Sequence, residues 1–224
     1  MDCARISQRL SRKPPLRDVA YSHIKSSILS GQLQPGEAIL ENDICEVLGL
    51  SRTPVREAIR QLANENLIEM IPRRGAFVCE ISISEVKGVF QLREILDCMA
   101  VRLACGQVPT SYLDEFDTLF NRLVQGPENQ DAHEALQVDR RFHELILDSC
   151  GNKWLRDLTS LLLDKSQLIR IASVKYPGRM KNSWLEHLQL ISYLRANDSI
   201  RAEECALQHV INARNAVLRA VSGE

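Results

Sequence analysis

Apolar positions recur with helical spacing along most of this chain, and the few places where the spacing changes mark its architecture. Val19, Ile24, Ile28 and Leu29 give an amphipathic stretch that begins at Leu16 and stops at Ser30-Gly31, and Gln34-Pro35-Gly36-Glu37 is a turn. A second short helix is predicted from Asn42 to Leu48. Gly49 follows it, where a left-handed backbone is easiest without a Cβ, and Ser51 can cap the next helix by accepting from its backbone N–H groups. Pro54 falls in the first turn of that helix, where a missing N–H costs least, and Val55, Ile59 and Leu62 supply its apolar face.

The period then shortens. LIEMI (Leu67 to Ile71) and AFVCEI (Ala76 to Ile81) read as two short strands joined by Pro72-Arg73-Arg74-Gly75, a turn with a basic tip. Three helices and a β-hairpin make a winged helix-turn-helix, in which the second helix of the motif enters the major groove of DNA. From Ser82 the strand signal disappears. Ser82 and Glu85 have capping-box spacing, and helical patterns follow over 84–106, 110–125, 131–149, 153–174, 182–196 and 199–221. The breaks fall at Gly106, Pro109, Gly126-Pro127, Gly151, Pro177-Gly178 and Asn197-Asp198. The expected fold is therefore mainly α: a mobile tail over 1–15, a winged helix-turn-helix over 16–81, and an all-α bundle over 82–224.

Composition narrows the setting more than the function. No apolar run approaches the ~18 residues of a membrane span, and the polar, basic N-terminus lacks the apolar centre of a signal peptide. A soluble, cytoplasmic protein with no membrane partner is expected. The seven cysteines are odd in number, scattered and never in a CxxC pair, which argues against a disulfide framework and for small buried apolar roles. Residues 1–79 hold 11 basic against 9 acidic side chains, and residues 80–224 hold 17 against 20. A difference that slight says nothing about nucleic acid, so the placement of the arginines must decide.

Arg52, Arg56 and Arg60 recur every fourth residue and line one helix face. The plain reading is a solvated face with local pairs such as Arg56 with Glu57. A groove-reading helix, however, needs donors at its N-terminal end, backbone anchors beyond them and an apolar opposite face. Ser51, Arg52, Thr53 and Arg56 meet the first two demands and the apolar residues above meet the third.

Among the histidines, Asp139 and His143 stand four apart and project from one helix face, a spacing that often means no more than a surface hydrogen bond. His187 and His209 sit mid-helix in WLEHLQLI and ALQHVINA, among apolar residues where an unpaired imidazole is costly. One carboxylate and three imidazoles from three helices suit a borderline divalent ion such as Zn²⁺, Ni²⁺ or Mn²⁺ in a bundle core, with coordination positions left for a small acid. Arg93, in VFQLREILD, reads plainly as a surface salt bridge with Glu94 or Asp97.

The span LQPGEAILENDICEVLGLSRTPVREAIRQLANENLIEMIPRRGAFV resembles the winged-helix domain of GntR-superfamily bacterial transcription regulators, and the all-α remainder resembles the FadR-like branch with its ligand-binding FCD domain. The resemblance covers about residues 16–221. It implies a repressor that binds double-stranded operator DNA as a homodimer, with contacts from Ser51, Arg52, Thr53 and Arg56 and close approach of the wing glycine Gly75 to the minor groove; Arg73 and Arg74, at the basic tip of the same turn, are read as further DNA contacts. It further implies a metal held by Asp139, His143, His187 and His209, and a small carboxylic acid effector clamped by Arg93; Asn212, three residues after His209 and so about one turn on, is placed by that spacing to add a polar contact to the same ligand. His23 and His133 match no ligand position. Asn42 stands where some members carry a DNA-contacting arginine, and Pro54 replaces a polar residue, so no relative's operator sequence transfers.

Two other functions fit parts of the pattern. A metal-dependent hydrolase with a DNA-binding appendage would need Glu144 or Glu186 as general base, but each adjoins its histidine and points roughly 100° away on a helix. No HExxH or G-x-S-x-G motif is present, so no catalytic residue and no enzyme are expected. A DNA-binding dimer with a purely structural metal site is the third possibility.

Overall fold

The computed structural model describes residues 14–126, 132–173 and 179–222. The expected breaks at Pro127 and Pro177-Gly178, the tail before Pro14 with Cys3, and the side chain of His133 lie outside what it describes. The chain forms two compact units: one takes the chain up to Ile28 and Gly36–Cys79, the other Leu29–Pro35 and the chain from Glu80.

The first unit runs α1 (Leu16–Leu29), β1 (Ala38–Ile39), α2 (Glu41–Leu48), α3 (Arg52–Asn64), β2 (Ile68–Ile71) and β3 (Gly75–Val78). Its core is built from the apolar stripes: Ile24 and Ile28 of α1, Val55, Ile59 and Leu62 of α3, and Ile68, Ala76 and Val78 of the sheet are all buried. The hairpin is part of a three-stranded sheet in the order β1-β3-β2. β1 pairs antiparallel with β3 through Ala38 opposite Phe77 and Ile39 opposite Ala76. Two residues are too short to show a period, which is why pattern alone missed this strand. Ladder pairing stops at Val78, three residues short of the expected Ile81.

The second unit is all helix among the described residues: α4 (Ile83–Ala104), α5 (Thr110–Gln125), α6 (Ala132–Ser149), α7 (Lys153–Ser173), α8 (Arg179–Arg195) and α9 (Ser199–Ser222). α4 begins with a full capping box: Ser82 Oγ accepts from the Glu85 N–H at 3.2 Å, and Glu85 Oε2 accepts from the Ser82 N–H at 3.1 Å. α8 starts three residues earlier than the expected Lys181-Asn182 boundary, at Arg179, whose guanidinium is held by Glu186 of the same helix. α4 packs against α6, α7 and α9, and α5 against α6 and α8.

A cluster of Phe116, Phe120 and Phe142 anchors the core, with ring centroids 5.3–6.1 Å apart. Cys98 and Cys150 are buried, whereas Cys45, Cys79, Cys105 and Cys205 are only partly so. Burial and neighbouring carboxylates push the Cys98 thiol up to about 11, and burial with Glu186 does the same to Cys205, so neither offers a thiolate ligand. No helix among the described residues is long and apolar enough to cross a membrane.

Candidate functional site

Gly49 ends α2 in the left-handed conformation (φ 63°, ψ 32°), and the chain turns directly into α3. Ser51 occupies the N-cap position with extended backbone, yet its hydroxyl accepts no capping hydrogen bond, contrary to expectation. The reason is Pro54. It stands three residues after the cap, where the usual N–H donor would be, and has none. Ser51, Arg52, Thr53, Arg56 and Arg60 are all exposed, while Val55, Ala58, Ile59 and Leu62 are buried.

Arg56 is not paired with Glu57. Its Nε donates to Oε2 of Glu41, the first residue of α2, at 2.8 Å. At the hairpin tip Arg73, Arg74 and Gly75 are exposed. Arg73 sits at φ 65° and Gly75 at φ 106°, so the turn tightens through two left-handed residues. The Arg74 guanidinium lies 5.2 Å from the Phe77 ring centroid. Exposed cationic residues at both ends of the motif, over an apolar underside, form a surface suited to phosphates and base edges.

In the bundle, α6 carries Asp139 and His143, α8 carries His187 and α9 carries His209. One nitrogen from each of the three imidazoles lies within 4.8 Å of the others. Asp139 joins them, with Oδ2 3.8 Å from His143 Nε2 and Oδ1 3.7 Å from His187 Nδ1. His187 is 1% exposed and stacks near Phe120 and Phe142. Burial, aided by the Arg93 charge, pushes the His143 imidazole down to about 4, so it is neutral at physiological pH, the form that ligates metals. His143 Nε2 is buried and makes no hydrogen bond among the described residues. Three imidazoles and a carboxylate converging in the buried core of the bundle fit a borderline divalent ion.

From its place beside His187, Glu186 reads only as a possible base. Its Oε2 instead accepts from His209 Nδ1 at 2.7 Å, which leaves the Nε2 lone pair for the centre. Arg179 and Asn212 hold Glu186 in turn, the latter through Nδ2 to Oε1 at 2.8 Å. A carboxylate that holds a histidine ring from 23 residues away in sequence leaves no local motif.

Arg93 is not on the surface. It is 1% exposed, and both Nε and Nη2 donate to Asp97 Oδ2, at 2.9 and 2.7 Å. Asp97, His143 and His209 are among the residues that line a small cavity between α4, α6, α7, α8 and α9. Asn212 is not brought to that cavity. It borders an open polar groove with Arg179, Glu186 and Arg219, bonded to Glu186 and Gln208.

Residues 16–78 match the family model of bacterial regulatory proteins, gntR family, and residues 88–212 match the FCD domain. The chain is 25% identical to the uncharacterized HTH-type transcriptional regulator YdhC of Bacillus subtilis, over 91% of this chain and 89% of that protein. It is 24% identical to the HTH-type transcriptional repressor RspR of Escherichia coli, over 92% of this chain and 90% of that one. Among solved structures, E. coli McbR/YncC superposes with a TM-score of 0.81 at 22% identity, covering 92% of this chain and 99% of that one.

Proposed function

The chain belongs to the GntR family of bacterial regulatory proteins and carries an FCD domain, which makes it a DNA-binding transcription regulator and not an enzyme, and from that premise we propose that it is a repressor whose operator affinity is set by a small carboxylate bound beside a metal in the bundle. The observation that carries this reading is the convergence of Asp139, His143, His187 and His209 next to a cavity that Asp97 also lines. These four side chains would hold Zn²⁺, Ni²⁺ or Mn²⁺. A bound ion would supply open coordination positions for a carboxylate oxygen. Arg93 is the group that neutralises the acid, and Asp97 keeps its guanidinium oriented until the acid arrives. Ser51, Arg52, Thr53, Arg56, Arg73, Arg74 and Gly75 contact the operator.

A second copy of the chain is the partner that brings a second recognition helix to a second half-site. Support comes from one face of the bundle. Leu92, Ile95, Met99 and Leu103 form an exposed stripe along α4 at near-heptad spacing, and Trp154, Leu158 and Leu161 form another along α7. The two helices pack together, and Lys165 of α7 reaches Glu85 on the α4 stripe. At roughly 200 Å² per large side chain, the exposed fractions amount to about 750 Å². That approaches the ~800 Å² per partner of a standard interface and exceeds what monomers usually leave open.

The test is a thermal-shift screen of the purified protein against small carboxylic acids, with and without a chelator. One acid is expected to raise the melting temperature, and the chelator to abolish the gain. A shift with metal but with no acid would overturn the effector reading and leave a structural site.

A further inference from the structure

The three arginines on the exposed face of α3 are not equivalent. Arg52 and Arg60 form no ion pair among the described residues, whereas Arg56 donates through Nε to Glu41 Oε2 at 2.8 Å. Glu41 and Arg56 are 15 residues apart in sequence and meet because Gly49 turns α2 back onto α3. The pair is partly exposed, with the arginine side chain 54% and the glutamate 31% accessible, so it adds little to stability. An acidic group beside a surface that must approach phosphates is also an electrostatic handicap.

We infer that Glu41 is a positioning residue for sequence readout: it holds the Arg56 side chain in one direction, so that the two Nη groups are presented to a base edge before DNA arrives. A guanidinium has five N–H donors in a rigid fork. Engaging Nε with Glu41 leaves the Nη pair, the end that can bond a guanine O6 and N7 together. A free arginine spreads its donors over many rotamers and meets phosphates of any sequence equally well. A held one loses less conformational freedom on the right sequence and is misdirected on the wrong one. Glu41 thus acts on the ratio of specific to non-specific binding, not on bulk affinity.

The experiment uses the full-length protein, a duplex it enriches from a random-sequence pool, and a scrambled duplex of equal length. Affinities for both are measured over a range of salt concentrations for Glu41→Asp, Glu41→Ala and Glu41→Gln. Aspartate keeps the charge but falls one methylene short, while glutamine keeps the reach and an accepting oxygen. Positioning predicts that Asp and Ala lower the specificity ratio by roughly three- to tenfold, with the salt slope on the scrambled duplex unchanged, and that Gln retains most of the ratio. A bulk-charge role predicts the reverse grouping: Asp like wild type, with Ala and Gln raising both affinities together. In an Arg56→Ala background, Glu41→Asp should change the ratio no further. Wild-type behaviour of Asp, a constant ratio across all three variants, or an Asp effect that persists without Arg56 would each overturn the proposal. Thermal melts of each variant matching wild type exclude a folding defect.

Discussion

Consider the removal of Asp97. Its partner Arg93 is 1% exposed and directs two N–H groups at one carboxylate oxygen, so Asp97→Leu leaves a guanidinium in the core with neither water nor counter-charge. Breaking a buried pair in this way costs about 3–5 kcal/mol. The converse change, Arg93→Met, should cost less. A stranded carboxylate can take up a proton and become neutral, whereas a guanidinium keeps its charge, and the Asp97 side chain retains 10% exposure through which water can reach it. The double variant, with both charges replaced by apolar groups of similar size, should recover most of the loss, because the cost lies in the uncompensated charge. At 2–4 °C per kcal/mol for a chain of this size, Asp97→Leu should lower the melting temperature by about 6–20 °C, more than Arg93→Met and far more than the double variant. Scanning calorimetry of chelator-treated protein at one fixed concentration makes the comparison. A drop below about 2 °C for Asp97→Leu, or equal drops for the two single variants, would refute the picture of a held, desolvated guanidinium.

Two other expectations rest on separate parts of the bundle. Glu186→Ala should weaken Zn²⁺ or Ni²⁺ binding by about 10–100-fold, since the carboxylate that orients His209 is lost; calorimetric titration of metal into stripped protein measures this, and an unchanged Kd would show that His209 is oriented by other means. Ile95→Glu, at a position 67% exposed in the middle of the α4 stripe, should convert the proposed dimer of twice 25.4 kDa into monomers; sedimentation velocity of both proteins decides, and a variant that still sediments as a dimer would place the interface elsewhere.

Local patterns carried the architecture because helices and capping boxes are local objects. The spacing of Val55, Ile59 and Leu62 and the Ser82/Glu85 pair each specify an element within one or two turns, and the structure contains both. That Asp139, His143, His187 and His209 converge was legible because histidines are few and sit on strongly periodic helices. What stayed hidden was relational. Nothing in the sequence near Arg93 separates a surface arginine from a buried one, because the decision belongs to the helices that pack over it. The partners Glu41 with Arg56 and Glu186 with His209 are joined by tertiary contact across 15 and 23 residues. The failed cap at Ser51 was the exception, since a proline three residues past a serine announces that the donor is missing.

α4 is a shaft with two working surfaces. Arg93 and Asp97 face inward, and Ile95, about 200° around the axis from Arg93, faces out. On the proposed function, an acid that draws the guanidinium away from Asp97 would turn the same rod whose far side carries the apolar stripe. A roll of ~10° at a side-chain radius of ~5–6 Å displaces that stripe by about 1 Å, and a packed helix pair responds to such a displacement by changing register, because close-packed interfaces do not stretch. On that reading the rod would convert torque at the cavity into a shift at the proposed seam, with no flexible linkage needed inside the bundle.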